Sequence, residues 1–265
     1  MRRIQTGVIA VCLAAAFLSG CAGSSAQSTA SSTAASSAAA SSVSTTAVSA
    51  NYDGGSGTQE DPYQINSVDS LLTFASNVND GSQGGYAGVC FKLTSDLDLS
   101  GVEWAPIGNM NDMETHSTLF LGSFDGDGHT ISNLSYTSDT YNCGAGLFGV
   151  SCGEVKNLTL EDATVTVTEG TSMAIGGVVG YNMGSVDNVT LKGDSTITGN
   201  NCVGGIVGGN NNSITNCMVE GATVVVIGDN RFTDKIVQAD VAECGGLVVG
   251  GGFGVVTGIA HGHAD

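Results

Sequence analysis

The chain has 265 residues, and its 40 glycines against 2 prolines favour many tight turns. Its formal net charge is −18, from 7 basic and 25 acidic residues. An acidic body of this kind repels phosphate backbones, which excludes nucleic acid as a partner. It also disfavours docking on anionic lipid head groups by charge alone.

Residues 1–20 have the organisation of a lipoprotein signal peptide. Arg2–Arg3 provide a positive start, and Gly7–Phe17 form an apolar run that is too short to span a bilayer. Leu18–Cys21 matches the bacterial lipobox, which implies cleavage before Cys21 and attachment of lipid to its sulfur. The alternatives are an ordinary secretory signal with a chance cysteine, or an uncleaved anchor.

Residues 21–50 are predicted to form a tether behind the lipidated Cys21. Ala22–Ala50 is nearly all Ser, Ala and Thr and has no charged or aromatic residue. Such a segment cannot bury enough apolar area to offset chain entropy, so we expect a flexible coil with an average reach of about 30 Å. The protein is thus expected to be exported and lipid-anchored on the outer side of a bacterial membrane, in the cell envelope.

Ser67–Val78 is the one convincing helix. Ser67 suits an N-cap, Asp69 lies in the first turn, and a stripe of apolar residues follows one face: Leu71, Leu72, Ala75 and Val78. A solenoid must cover its open end, so the helix is expected to pack on the first β-coil through Leu71, Leu72 and Phe74 or Ala75. A partner-binding helix is the weaker alternative.

One short sequence recurs three times between Gly144 and Val226. Its copies are Gly146–Gly149, Gly177–Gly180 and Gly205–Gly208, and each is followed eight residues later by an asparagine: Asn157, Asn188 and Asn216. Asn133, 24 residues before Asn157 (157−133), is interpreted as an earlier copy of the same turn. Short or alternating apolar runs rich in Val, Thr and Ile, with Gly and Asn at the corners, predict a stacked β-solenoid.

The recurring sequence resembles the GLUG motif of bacterial surface proteins, and residues 53–135 resemble the segment that commonly precedes it. The matching pieces are Gly57–Thr58, Asp61–Tyr63, Asp96–Leu99, Trp104–Gly108 and Phe124–Ile131. The resemblance covers residues 53–226. It implies an all-β fold, a right-handed parallel β-helix of the pectate-lyase-like type with an N-terminal capping helix. The motif is specific for the fold and says little about function.

On this basis residues 51–135 are assigned to the N-terminal cap and first coils, and residues 136–265 to GLUG-type repeats. Four N-x-S/T sequences occur, and three coincide with the repeated turn at Asn133, Asn157 and Asn188. A stacked asparagine ladder explains all three. Residues 231–242 are predicted to be a loop. The last coil has no obvious cap, which favours self-association through its edge or a shortened relative of longer proteins.

Asp125–His129 places Asp125, Asp127 and His129 on a glycine-rich turn. Asp125 and Asp127 are weak candidates for calcium ligands, but the run lacks the spacing of an EF-hand loop. A structural corner, in which aspartate accepts local N–H groups, is the preferred interpretation. Asp96 and Asp98 alternate with leucines and are interpreted as a solvated strand face.

No recognisable catalytic set is present. A glycosidase needs two carboxylates facing a cleft, one with a raised pKa. Neither H-E-x-x-H nor G-x-S-x-G occurs, and His261 and His263 make a poor metal pair at the chain end. The protein is therefore interpreted as non-enzymatic, with no cofactor.

Six cysteines remain once Cys12 leaves with the signal and Cys21 is lipidated, and they allow 15 connectivities. They are Cys90, Cys143, Cys152, Cys202, Cys217 and Cys244. Cys143 and Cys152 flank the first motif copy and form the favoured disulfide. Cys202, Cys217 and Cys244 can equally pack as small buried hydrophobes.

The leading hypothesis is a lipid-anchored cell-surface module for adhesion, contacting glycan or another surface protein and the membrane through Cys21. One alternative is a carbohydrate-active enzyme, a polysaccharide lyase or hydrolase, whose carboxylates meet only in the fold. Another is a structural envelope protein that assembles end to end through the C-terminal coil.

Overall fold

The computed structural model describes residues 52–81, 83–110, 118–140, 143–168 and 174–227, and the backbone of three strands between residues 249 and 261. The predicted signal peptide, Cys21, the tether, the 231–242 loop, Cys244 and His263 lie outside the described residues. The helices are α1 (Val68–Asn79) and one 3₁₀ turn (Gly84–Tyr86). The strands are β1 (Tyr63–Ile65), β2 (Cys90–Leu93), β3 (Leu97–Asp98), β4 (Ser123–Asp125), β5 (Thr130–Ser132), β6 (Ser135–Ser138), β7 (Gly144–Ala145), β8 (Phe148–Ser151), β9 (Glu154–Glu161), β10 (Thr164–Val167), β11 (Ala174–Ile175), β12 (Val179–Asn182), β13 (Ser185–Lys192), β14 (Thr196–Gly199), β15 (Val207–Asn210), β16 (Ser213–Thr215), β17 (Met218–Val219), β18 (Thr223–Val226), β19 (Val249–Gly252), β20 (Val255–Thr257) and β21 (Ala260–His261).

The strands stack coil upon coil into a parallel β-solenoid of about five turns, which confirms the predicted fold class. The long sheet follows the order β1-β2-β4-β9-β13-β16-β20, with β3, β5, β17 and β21 beside it. Two four-stranded sheets, β8-β12-β15-β19 and β6-β10-β14-β18, and the pair β7-β11 form the other sides. Every ladder between these strands is parallel, as a solenoid requires. Among the described residues, no helix combines the length and apolar character that a bilayer crossing needs.

The core is built from apolar side chains stacked at matched register along the long sheet. One inward column is fully or nearly fully buried: Tyr63, Phe91, Phe124, Val155, Val186 and Ile214. The residues between them point outward, which is the period-2 pattern that the sequence contains. Aromatic rings fill the first coils, and aliphatic side chains fill the later ones.

Helix α1 closes the N-terminal end of this stack, as predicted. Ser67 is its N-cap, and its Oγ accepts the backbone N–H of Ser70 at 3.3 Å while Ser70 Oγ accepts that of Ser67 at 3.2 Å. Phe74 is fully buried, with its ring centroid 4.5 Å from that of Phe91. Leu71 is also buried, and Leu72 packs against the core while half-exposed. The helix is therefore a cap held by aromatic packing.

The second glycine of each motif copy lies where two backbones pass close together. A Cβ placed on Gly180 would lie 2.4 Å from the backbone nitrogen of Ala145, and one on Gly208 would lie 2.3 Å from that of Ile175. Neither distance can be accommodated without moving backbone. The motif is thus a packing requirement, because β7 and β11 rest directly on these glycines.

Asparagines occupy left-handed corners, but in two separate columns. Asn157, Asn188 and Asn216 have φ of 52°, 52° and 53° and stack at the corner inside the long sheet. Asn133 also has a positive φ, but its N–H donates to the carbonyl oxygen of Glu161 at the end of β9. Asn133 therefore lies beside Asp162 and not beside Asn157. The interpretation of Asn133 as an earlier copy of the same turn is therefore wrong. On the preceding coil, the turn that stacks on Asn157 is the Asp125–His129 segment. Its Gly128 N–H donates a hydrogen bond to the carbonyl oxygen of Asn157.

Candidate functional site

The outer face of the long sheet carries the three lysines of the described residues, and each is paired with an acid. Their partners are Asp127 for Lys92 at 2.7 Å, Glu154 for Lys156 at 2.7 Å and Glu161 for Lys192 at 3.4 Å. The register places Lys92, Asp125, Lys156 and Asp187 in one column of alternating sign. Bonding to Asp127 and Glu154 raises the pKa of the Lys92 and Lys156 ammonium groups. Each lysine thus has a carboxylate partner within the sheet, so we interpret these charges as structural.

The Asp125–His129 turn is a hydrogen-bonded corner. Asp125 Oδ1 accepts the N–H of Asp127 at 2.8 Å and the side-chain amide of Asn157 at 3.0 Å. Asp127 has a φ of 51°, and its carboxylate meets Lys92. Within the described residues no group of three or more His, Cys, Asp or Glu side chains is arranged to hold a metal ion. The geometry supports the structural interpretation of Asp125 and Asp127.

Asp96 and Asp98 are solvated, as expected, and both accept hydrogen bonds that cross between coils. Asp96 Oδ1 accepts the Thr130 N–H at 2.9 Å and lies 3.0 Å from His129 Nδ1. These contacts lower the pKa of Asp96, with the Thr130 bond the larger cause. Bonds from the Ser100 hydroxyl, and then from Asn133, lower the pKa of Asp98. A lowered pKa suits a fixed acceptor and is the opposite of what a general acid needs.

The cysteine predictions have mixed outcomes. Cys143 is buried, with its Sγ 2.8 Å from the carbonyl oxygen of Met110, and Cys152 is half-buried. A Cys143–Cys152 disulfide stays a prediction. Cys217 is fully buried in the core, and burial raises the pKa of its thiol to about 11. Cys217 therefore packs as a small hydrophobe, one of the two alternatives that the sequence left open.

Strands β6, β10, β14 and β18 present a different outer surface, which we call the threonine face. At matched register its two columns are Ser135, Thr164, Thr196 and Thr223, and Thr137, Thr166, Thr198 and Val225. Residues between the columns, such as Val165 and Ile197, are fully buried. Neighbouring positions are about 4.8 Å apart across the strands and about 6.6 Å apart along them.

The hydroxyls of the threonine face take no part in the hydrogen bonding of the described residues. None of the seven Ser and Thr side chains on it makes a hydrogen bond within the described structure. Its four strands also contain no charged residue. The face is thus an uncharged set of hydroxyl groups at regular register with no hydrogen-bond partner among the described residues, unlike the paired charges of the long sheet.

Sequence reasoning did not identify this face, although a signal was present. Thr164-Val165-Thr166 and Thr196-Ile197-Thr198 share the form T-x-T, and Thr223-Val224-Val225 continues it. A second feature was also missed, an amide ladder inside the solenoid. Asn182 is buried and donates to Asn210 Oδ1 at 2.7 Å, and it accepts the Gly184 N–H at 3.1 Å.

Comparison with protein families finds the GLUG motif at residues 171–198 and 199–225, which confirms the resemblance drawn from the sequence. Halomucin of Haloquadratum walsbyi (strain DSM 16790 / HBSQ001) is 38% identical over 169 residues, 60% of this chain and 2% of that protein. The "Putative Gly-rich membrane protein" of Evansella cellulosilytica is 35% identical over 156 residues, 55% of this chain and 16% of that protein. The chain thus spans a small part of the length of both curated relatives.

Among solved structures, the "putative immunoglobulin A1 protease" of Bacteroides ovatus matches with a TM-score of 0.43 and 15% identity. The match covers 78% of this chain and 87% of that chain.

Proposed function

Because the chain carries GLUG motifs on a parallel β-solenoid, we propose that it is a non-enzymatic adhesion module of the cell surface whose threonine face contacts neutral glycan. The observation that carries this proposal is the two columns of exposed and half-exposed hydroxyls of the threonine face, which no described residue uses as a hydrogen-bond partner. Hydroxyl groups both donate and accept, so they match the hydroxyl groups of a sugar chain.

Rigidity and neutrality favour this face over the others. Its side chains stand on a hydrogen-bonded sheet, so little conformational entropy is lost when a ligand binds. The chain as a whole is strongly acidic, but this face has no charged residue, so a neutral ligand meets no charge that it must desolvate. Weak hydrogen bonds from several threonines to successive units of one glycan chain can then add up to a measurable affinity.

The enzymatic alternative has less support. The lysines on the outer face of the long sheet are paired with carboxylates. Asp96 and Asp98 have a lowered pKa, whereas a general acid needs a raised one. The names of the two relatives, halomucin and a Gly-rich membrane protein, are in keeping with a surface role.

The same proposal includes anchoring in the cell envelope by lipid on Cys21, with residues 21–50 as the tether. Cys21→Ser should move the protein from the membrane fraction to the soluble fraction of the producing cells. The intact mass of the unaltered protein should exceed that of residues 21–265 by the mass of the lipid. Equal membrane retention of both proteins would contradict anchoring at Cys21.

The binding test measures retention of the full-length chain on immobilised mucin, peptidoglycan and plant polysaccharides, and any release of sugar ends. The variant Thr166→Val/Thr198→Val removes two central hydroxyls and keeps the β-branched shape, so retention should fall about tenfold. The matched control Thr159→Val/Thr190→Val makes the same change on the long sheet and should retain normal binding. Equal loss in both variants, or release of sugar ends, would overturn the proposal.

We also propose self-association as a second function, because β18 ends in exposed apolar residues. Val225, Val226 and Ile227 are 37%, 44% and 49% exposed, and in the described part of the chain β18 pairs only with β14. An unpaired apolar edge can pair with a second copy. Molar mass in solution should rise with concentration, and Val226→Lys should abolish the rise. A constant mass for the unaltered chain would contradict it.

A further inference from the structure

A cavity of about 280 Å³ lies beside β6, which pairs only with β10 among the described strands, between the end of α1 and the segment from Trp104 to Asn109. Its wall includes Trp104, Pro106, Thr118 and Tyr136. Tyr136 lines this cavity, whereas its neighbours Ser135 and Thr137 belong to the threonine face. The cavity is therefore a separate feature, on the other side of β6.

The cavity is preformed by hydrogen bonds that involve its wall. Asn79 clamps the segment with both ends of its amide, since Nδ2 donates to Pro106 O at 3.1 Å and Oδ1 accepts the Gly108 N–H at 2.8 Å. Asn109 and Thr118 exchange two backbone hydrogen bonds, at 2.7 and 2.8 Å. A Cβ on Gly108 would lie 2.3 Å from Val150 O, so the segment also rests tightly on β8. The backbone of the wall is therefore fixed before a ligand arrives, which lowers the entropy lost on binding.

Two residues of the wall carry hydrogen-bonding groups that no described residue uses. Trp104 is 5% exposed, and its Nε1, a donor only, is buried without a hydrogen-bond partner in the described part of the chain. The hydroxyl of the half-buried Thr118 also makes no hydrogen bond within the described residues. Buried indole N–H groups usually have an acceptor, and an unsatisfied one in a native fold calls for an explanation.

The chemistry of the wall selects the class of ligand. Among the described residues, no acidic or basic side chain lines the cavity, and the net charge of −18 opposes an anion. The volume is just below the usual range for drug-sized ligands, so it suits one ring and not an oligomer. Ala105 and Pro106 line the same cavity as Trp104 and Thr118, a mixture of apolar and polar wall residues that favours a ring with an apolar side and a hydroxylated edge.

From these observations we propose that the cavity binds a single neutral sugar unit, with ring oxygens or hydroxyls as acceptors for Trp104 Nε1 and partners for the Thr118 hydroxyl. Because Nε1 is closed off from solvent, the indole must turn for a ligand oxygen to reach it. Binding therefore changes the environment of the indole. Since Trp104 is the only tryptophan of the chain, its fluorescence reports on this site alone. The proposal stands apart from the threonine face.

The experiment titrates the full-length chain with glucose, galactose, mannose and N-acetylglucosamine and follows tryptophan emission. At least one of these sugars should shift the emission saturably, with one site per chain by calorimetry. Glucuronate, glucosamine and the neutral dipeptide Gly-Gly should cause no saturable shift. The absence of a response to every neutral sugar, or a stronger response to the dipeptide, would overturn the proposal.

Two variants locate the site. Thr118→Val removes one hydroxyl at constant shape and should weaken the sugar by about fivefold to tenfold in the fluorescence titration. Trp104→Phe removes the N–H, and calorimetry should show at least a tenfold loss while circular dichroism shows an unchanged fold. Thr159→Val, on the long sheet, should leave the titration unchanged. Unaltered affinity in both cavity variants would contradict the site, whereas loss of polysaccharide retention alone would concern the threonine face.

Discussion

Asn188 donates its side-chain amide to Asn157 Oδ1 on the preceding coil at 2.8 Å, and both residues have a φ of 52°. Asn216 repeats the geometry one coil later with a φ of 53°, but it donates to Asp187 Oδ1 at 2.9 Å. Asparagine serves two needs here, since it tolerates the left-handed region better than most residues and carries a donor. The corner is therefore fixed by backbone preference and by a bond between coils.

The corner predicts an order of stability for two replacements of Asn188. Asn188→Gly loses the amide bond but keeps a relaxed backbone, so it should cost about 1 kcal/mol of unfolding free energy. Asn188→Ala loses the same bond and also strains a residue at positive φ, so it should cost about 2–3 kcal/mol. Urea unfolding of the three proteins measures the difference. Equal stability of the alanine and glycine variants would contradict a strained corner.

The repeat itself could be predicted from the sequence, whereas the alignment of one copy could not. The interval of 24 residues from Asn133 to Asn157 resembles the intervals 31 and 28 that follow (188−157 and 216−188). In the fold, Asn133 lies beside Asp162, in the column that continues at Gly193 and Gly221, all with positive φ. The coils that contain Asn157, Asn188 and Asn216 each have two left-handed corners, and a one-dimensional spacing does not distinguish them.

The close approach at the motif glycines predicts a large loss of stability in Gly180→Ala. The added methyl would lie 2.4 Å from Ala145 N, and relief requires β7 to move away from β12. We expect a loss of about 2–4 kcal/mol in urea unfolding. Gly88→Ala is the comparison, because no atom lies within 4 Å of its Cβ position and only its φ of 74° opposes the change. That variant should lose about 1–2 kcal/mol.

Helix α1 and the apolar columns follow from local patterns, but both candidate sites depend on register. The threonine face appears only when Ser135, Thr164, Thr196 and Thr223 are stacked, and their spacing in the chain is uneven (29, 32 and 27). The cavity brings together Trp104 and Tyr136, which are 32 residues apart (136−104). Which residues stack on one another depends on the number of residues in each coil. That number is set by the loops, whose lengths follow no fixed period in the sequence.

Acid should weaken the solenoid through Asp98. Its pKa is lowered in the fold by the Ser100 hydroxyl and then by Asn133, so its contribution is fully present above the unfolded pKa of about 3.9. The contribution is lost as pH falls through the lower folded pKa. Asp98→Asn should therefore be less stable than the unaltered chain at pH 7, and the gap should narrow below about pH 4. Urea unfolding between pH 7 and 3 measures it, and a gap that stays constant would exclude this linkage.

Cys217 should be protected from alkylation in the native state. It is fully buried and its thiol has a pKa of about 11, so at pH 8 almost no thiolate forms and no reagent reaches it. Iodoacetamide followed by peptide mass mapping should label half-exposed Cys90 first. Cys217 should react only at urea concentrations that unfold the protein. Labelling of Cys217 in native buffer as fast as Cys90 would contradict a closed core.

Glycan retention through the threonine face should be nearly independent of salt. The strands β6, β10, β14 and β18 carry no charge, so screening has no charged pair to weaken. Retention on the polysaccharide that binds best should change less than twofold between low and high sodium chloride. Binding through the paired lysines of the long sheet, such as Lys156, would instead fall steeply with salt.

Thr166→Lys supplies the matched control, because it adds one charge to the face. That variant should lose neutral glycan and become salt-sensitive toward an acidic one, and a steep salt dependence in the unaltered chain would refute binding at the threonine face.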